Sequence, residues 1–372
     1  MGEESKHHQI YTDLKASLAE GRYRDGERLP TELELAASYG VSRPTVTKAL
    51  NSLKKEGLVT RRTGSGTYAS LNAPGPAPHQ VFGLLIPGLG RGEIFEPICA
   101  RIAALSEEKD FALLWGGTAS AGRDQENNLE QVVRRFLANH ATGVFFAPLE
   151  LNPEFEGINL RLVSLLAEAR LPTVLIDTDY LPFPLRGRFD LVGIDNFQAG
   201  YTMARHLLEH GRGRVDFLYR PHSSHTVPVR LRGFQAALWD AGVALEARWV
   251  HCGDPEDGAF VQEGILGSGA ADIVCGNDET AARLMSTLDR LGVRIPEQAR
   301  IAGFDDVHYA QHLRVPLTTY HQPCPELGSA AVEAMLARIR DPLRAPRTIT
   351  VPGSLVVRGS CGDHPPPPGA AG

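Results

Sequence analysis
Ten short apolar runs alternating with helical patterns constrain this chain more than any other feature. They read VFGLLIPG, FALLWGG, GVFFAPL, PTVLIDTD and LVGIDN, then RVDFLYR, ARWVHCG, DIVCGND, ARIAGFDD and LTTYHQP. Alternation of this kind predicts parallel sheets covered by helices on both faces. Ten strands exceed one comfortable sheet, so two lobes are expected. Ligands of open α/β sheets sit beyond the carboxyl ends of the strands, where this sequence places Asp177, Asp195, Asn277 and Asp305. A cleft rich in hydrogen-bonding groups is the consequence of that placement.

The remaining composition narrows the class. Apolar residues make up 42% and charged residues 22% of 372 residues, ordinary values for a globular protein of two or three domains. The apolar runs are too short to span a bilayer, and the polar N-terminus MGEESKHHQIYTDLK resembles no signal peptide, which predicts residence in the cytoplasm away from membranes. Five cysteines without CxxC spacing argue against a disulfide framework or a zinc site, and His251 and His321 lack metal-ligand spacing. Charge is unevenly placed. Residues 1–72 carry 11 Lys and Arg against 9 Asp and Glu, whereas the rest carries 27 against 35, and residues 41–70 hold six basic side chains and one acidic. A basic patch in a protein of net charge −6 can attract a polyanion. The Pro-rich stretch LNAPGPAPHQ reads as a linker, and HPPPPGAAG as a disordered tail. The expected division is therefore 1–70, a linker at 71–80, a large domain at 81–361 and a tail at 362–372.

Within the first 70 residues, Ile10, Leu14 and Leu18 share one helical face. Thr31 and Glu34 are spaced as a capping box and Gly40 suits a left-handed helix end. Ser42 can cap the next helix, whose Val46, Ala49, Leu50 and Leu53 fall on a buried face while Arg43, Thr47, Asn51, Lys54 and Lys55 fall opposite; Gly57 is expected to close it. Two helices joined by a tight glycine turn form a helix-turn-helix, whose second helix can enter the major groove. LVTRRTGSGTYAS adds two short strands around a glycine-bearing tip.

These pieces, with GERLPTE, VSRPTV, KAL..L..EGL and GSGT in order, resemble the GntR-type winged helix-turn-helix domain over its full length. The resemblance implies contacts to double-stranded DNA from Ser42, Arg43, Thr45, Thr47 and Lys48, with a wing at Thr63, Gly64, Ser65 and Gly66 reaching a minor groove. Thr47 stands where that family usually carries arginine, so Arg43 is the favoured base reader, and Arg61 and Arg62 are expected to neutralise phosphates.

From Val81 to Ser360 the chain resembles the sugar-binding module of the lactose repressor family, which shares its fold with periplasmic sugar-binding proteins. RLRGF, CGNDETA, IAGFDDVHYA and PLTTYHQP carry the likeness. It implies a two-lobed type I periplasmic-binding-protein-like domain that dimerises, and an effector site built from Arg230, Asn277, Asp305 and Gln322. Phe95 either covers an apolar sugar face or belongs to the core. Such a set suits a small neutral sugar, pentoses included, because carboxylate, amide and guanidinium together satisfy hydroxyls that donate and accept. QPC at Gln322 to Cys324 departs from the pattern and leaves the sugar open. In the pairs Asn277–Asp278 and Asp305–Asp306 the first residue is expected to face ligand and the second to cap a helix, while Asp195 is expected to cap its own helix or to serve as a hinge rather than to touch ligand. Arg91 and Glu93 read as solvated loop charges.

Rival functions fit poorly. GLGRGE places Glu93 where a dinucleotide loop needs its third glycine. No positioned acid and nucleophile supports glycoside hydrolysis. A transport receptor would need an export signal and no basic helix-turn-helix. A homodimeric, sugar-responsive regulator without catalytic activity or cofactor is the expectation.

Overall fold
The computed structural model describes residues 6–19, 21–55, 58–62, 66–70, 80–86, 94–116, 125–210 and 213–362. They form two compact units that divide between Gln80 and Val81. The proposed linker up to residue 79, the tail from 363, Gly57, Arg91, Glu93, and Thr63, Gly64 and Ser65 lie outside the described residues. Gln80, expected in the linker, instead opens a strand.

The first unit contains α1 (Lys6–Ala19), α2 (Glu32–Tyr39), α3 (Arg43–Lys55), β1 (Val59–Arg62) and β2 (Gly66–Ala69). Its core is the set the helical spacing marked: Ile10, Leu14 and Leu18 pack with Val46, Ala49, Leu50 and Leu53, all buried. Thr31 and Glu34 close the capping box reciprocally, and Gly40 ends α2 at φ 61°, a conformation that costs glycine little. β1 and β2 pair antiparallel. A turn between α2 and α3 thus sets the second helix against the first.

The second unit begins with β3 (Gln80–Leu85), α4 (Phe95–Lys109), β4 (Phe111–Trp115), α5 (Gln125–Ala138), β5 (Gly143–Phe146), α6 (Phe155–Glu168), β6 (Thr173–Ile176) and β7 (Asp190–Gly193). It continues with α7 (Asn196–Glu209), β8 (Asp216–Tyr219), α8 (Thr226–Asp240), β9 (Val250–Cys252), β10 (Asp272–Cys275), α9 (Asp278–Arg290), β11 (Arg300–Asp305), β12 (Thr318–His321), α10 (Cys324–Arg340), β13 (Thr348–Thr350) and β14 (Ser354–Val356). All ten anticipated runs form strands. They fall into two six-stranded sheets, ordered β13-β7-β6-β5-β3-β4 and β14-β12-β11-β10-β8-β9, so each half of the series builds one lobe. β13 and β14 were not anticipated, because three-residue half-exposed strands carry no apolar run. β13 pairs parallel with β7 in the first sheet and β14 antiparallel with β12 in the second. The chain therefore crosses between lobes at β7–α7, at β12–α10 and at β13–β14.

One helix crossing fixes the place of Arg230. A Cβ on Gly200 of α7 would lie 1.9 Å from the Arg230 carbonyl oxygen, and one on Gly233 of α8 would lie 1.9 Å from that of Phe197. Only glycine allows these backbones to meet, and their contact presses the Arg230 segment against the start of α7.

Candidate functional site
Two constellations carry chemistry, one in each unit. In the first, Arg43, Thr47, Lys48, Asn51 and Arg61 line one open groove with Glu32, so Arg43, Thr47 and Asn51 of the expected outer face of α3 share a surface. Arg43 Nε donates to Glu32 Oε2 at 2.8 Å while its side chain stays 66% exposed. Arg61 bridges Glu32 and Asn51. Glu32 thus holds two arginines at the edge of the groove, an acidic partner the motif reading missed although it stands beside the capping box. The hydroxyls of Ser42 and Thr45 pair with each other at 2.8 Å, and Thr47 Oγ1 donates back to the Arg43 carbonyl. Gly66 opens β2, and Arg62 ends β1.

In the second unit, Phe95, Glu150, Asp177, Arg230, Asn277 and Asp305 meet around one cavity. They come from the carboxyl ends of β5, β6, β10 and β11 and from the starts of α4 and α8, as the strand-end rule requires. Arg230 is 2% exposed. Its Nε donates to Asn196 Oδ1 at 2.8 Å, Nη1 to the Gly276 carbonyl at 2.8 Å, and Nη2 to Asp305 Oδ1 at 3.2 Å. The guanidinium also stacks over Phe304, 4.7 Å from the ring centre. Three of its five N–H donors are used in these bonds, which leaves two for a ligand. Gln322 Nε2 donates to the same Asp305 oxygen at 2.8 Å. Gln322 is buried and reaches an adjoining groove that also touches Asp305, so it supports Asp305 from behind the cavity. Phe95 is half-buried, packs on the core and lines the cavity at once.

The helix caps correct two expectations. Asn277, not Asp278, caps α9: its Oδ1 accepts from the Thr280 N–H at 2.9 Å and from the Thr280 hydroxyl. Asp278 is fully buried and accepts from the Val307 N–H and the Thr319 hydroxyl. Asp306 caps no helix either; it pairs with Arg358 and His321 at the second crossover. Extended backbone at Asn277 lets its own side chain cap α9 while Asp278 turns into the core, and at the other pair positive φ at Asp305 and Asp306 carries the chain away before any α-helix starts. Asp195 does cap α7, accepting from the Gln198 N–H at 3.0 Å.

Sequence reasoning missed Glu150, since LEL after β5 shows no motif, and it left Asp177 without a role. Burial pushes the Glu150 carboxyl up to about 7, with Asp177 and Asp305 adding to the shift. Burial likewise raises Asp177 to about 6 against the pull of Arg230, and raises Asp305 despite the same arginine. Leu151, Asp177 and Asp305 adopt positive φ around this cavity, as does His222 beside the neighbouring one, and strain in non-glycine residues concentrates at functional sites. The lobes touch across it. Leu151 N–H donates to the His222 carbonyl at 2.6 Å, His225 Nδ1 lies 3.2 Å from the Asp179 carbonyl, and Arg232 stands over Phe183. The enclosed space is about 30 Å³, room for a water rather than a sugar, so these contacts must part to admit a ligand.

Residues 6–69 match the family of bacterial regulatory proteins called gntR, and residues 204–361 match the periplasmic binding protein-like domain. The arabinose metabolism transcriptional repressor of Geobacillus stearothermophilus is 28% identical over 377 residues, 95% of either chain. The repressor of the same name from Halalkalibacterium halodurans is 26% identical over 348 residues, 90% of either chain. Among solved structures, a complex of the transcriptional regulator CelR with cellobiose superposes with a TM-score of 0.64 at 21% identity, covering 89% of this chain and 100% of that one. A LacI family regulator from Enterococcus faecium with bound ribose superposes at 0.60 and 23% identity, covering 76% and 99%. The relatives are transcription regulators rather than enzymes, and among the described residues no helix is long and apolar enough to cross a membrane. This chain joins a helix-turn-helix domain of the gntR family to a periplasmic-binding-protein-like domain of the LacI fold, and it is a DNA-binding transcription regulator.

Proposed function
We propose that the protein is a cytoplasmic, homodimeric repressor whose affinity for a pseudo-palindromic operator is set by a small neutral sugar, a pentose first among candidates, bound between the lobes. It binds the sugar without transforming it. Arg43 reads a base edge, Ser42, Thr45, Thr47 and Lys48 position α3 in the major groove, Arg61 and Arg62 meet phosphates, and Thr63 to Gly66 form the wing. Phe95, Arg230, Asn277 and Asp305 touch the sugar, with Gln322 holding Asp305 in place. The observation that supports this most is the meeting of Arg230, Asn277, Asp305 and Asp177 at one cavity between two sheets, a set of donors and acceptors matched to adjacent hydroxyls.

Lobe closure on the sugar is the step that changes operator affinity. Coupling of about 1–3 kcal/mol would alter it roughly 5- to 150-fold. The test pairs two measurements on the full chain. Retardation of pooled genomic fragments at low salt should select a small set of sequences, and L-arabinose or D-ribose should raise the melting temperature and change that retardation. Selection of no fragment, together with no stabilisation by any saccharide, rejects the reading.

A further inference from the structure
More carboxyl groups than arginines border the cavity. Glu150, Asp177 and Asp305 all line it. Arg230 is bound to Asp305, Asn196 and the Gly276 carbonyl. Arg220, which faces Glu150, is paired with Glu279. Behind Asn277, Asp278 adds a further buried carboxyl. Asp177 is only 8% exposed, and its Oδ1 has no hydrogen-bond partner among the described residues. A buried acceptor without a donor is costly, and a ligand hydroxyl or N–H that reaches it recovers that cost. A phosphate or carboxylate brought into the same space would instead meet Glu150, Asp177 and Asp305 together, while Arg230 and Arg220 each already hold a carboxylate and keep only part of their N–H donors for it. Burial first, and then the neighbouring carboxyls, raise the affinity of Glu150 and Asp177 for protons.

We propose that Glu150 is a specificity-determining residue of the cleft, which with Asp177 selects donor-rich ligands free of negative charge and excludes phosphorylated sugars. The inference deepens the reading of this cavity as a sugar site and rests on it. Glu150 follows Pro148 and Leu149 out of β5 and borders both the central cavity and a neighbouring one lined by Asn152, Asn159 and His222. It therefore stands where a substituent extending from a bound ring would pass.

The experiment is calorimetric titration of the full chain and of Glu150→Gln and Asp177→Asn with D-ribose, L-arabinose and D-glucose, and with ribose 5-phosphate, arabinose 5-phosphate and glucose 6-phosphate. Circular dichroism checks that each variant folds. A neutral sugar should bind at least about 100-fold more tightly than its phosphate ester, and Glu150→Gln should narrow that ratio about tenfold or more. An ester that binds as tightly as its parent, or a ratio unchanged in Glu150→Gln, overturns the inference and leaves the sugar site standing. If no saccharide binds, with or without phosphate, the sugar reading falls and this inference falls with it.

Discussion

Two arginine–carboxylate pairs in this chain share their chemistry and differ in almost everything else. Arg43–Glu32 sits on the helix-turn-helix with its guanidinium 66% exposed, and Arg230–Asp305 sits in the cleft with the guanidinium side chain 3% exposed. In water the first pair contributes about 0–1 kcal/mol, so Arg43 can leave Glu32 for a phosphate or a guanine edge at little cost. The second is locked by Asn196, Gly276 and Phe304 as well, and breaking it strands a buried charge. Exposure decides which arginine can change partners. In the proposed roles, a base reader has to exchange partners each time it finds a site, whereas a sugar sensor has to present the same donors to every ligand.

The sharpest way to break the comparison is to remove both guanidinium groups separately. Arg230→Ala should lower the stability of the second unit by about 3–5 kcal/mol, because Asp305 is left buried without its counter-charge. It should also abolish sugar binding. Differential scanning calorimetry checks the first expectation and titration calorimetry the second. The double variant Arg230→Met with Asp305→Leu should recover much of the stability and none of the binding, since a hydrophobic pair needs no charge compensation. If Arg230→Ala melts like the parent, the buried pair is not what holds the cleft in shape.

A smaller loss should come from disturbing the backbone that presents Arg230. Gly200→Ala or Gly233→Ala inserts a methyl group 1.9 Å from a carbonyl oxygen of the facing helix, and overpacking of this kind costs about 1–3 kcal/mol. Because the displaced segment carries Arg230, sugar affinity should fall in the same variants while the selected DNA sequences stay the same. Loss of stability without loss of affinity would show that α7 and α8 can separate without moving the guanidinium.

The fold was largely legible because its signals are local. Apolar runs found ten strands, helical spacing found the core of the first unit, and Thr31, Glu34, Gly40 and Asp195 were read as caps and turn residues from their spacing alone. The misses are long-range. Neither β13 nor β14 has an apolar run, and each is a strand only because β7 or β12 offers it an edge. That Asn277 rather than Asp278 caps α9 depends on Val307 and Thr319, which approach from β11 and β12 and draw Asp278 inward. Glu150 owes its raised carboxyl first to burial and then to Asp177, 27 positions away on the neighbouring strand's end. No window of sequence contains that pair.

Charge in the cleft should also register as pH dependence. Glu150 and Asp177 titrate above the usual carboxylate range in the folded protein, near about 7 and about 6. The folded state therefore holds their protons more tightly than the unfolded chain does. The stability they contribute is complete below the ordinary carboxylate pKa, and it is lost as the pH rises through about 6 and then about 7. The melting temperature of the ligand-free second unit should fall across that window. Glu150→Gln should flatten the upper part of the slope and Asp177→Asn the lower part. A slope that both variants leave unaltered would assign it to other groups.

The smallest effect on stability belongs to the exposed pair, and there the comparison is most informative. Arg43→Ala should change the melting temperature hardly at all, within about 1 kcal/mol, because Glu32 keeps Arg61 and water replaces the lost guanidinium. Its effect should appear in recognition instead, as a loss of about 1–3 kcal/mol of discrimination between selected and random duplexes. Binding to random duplex should weaken little, with the salt dependence nearly unchanged. Arg61→Ala should do the reverse: binding to all duplexes weakens together, the salt slope shrinks by about one unit, and sequence preference survives. Retardation at several salt concentrations separates the two patterns. If Arg43→Ala weakens selected and random duplex alike, then Arg43 is a phosphate contact, and base reading passes to Thr47 or to the wing.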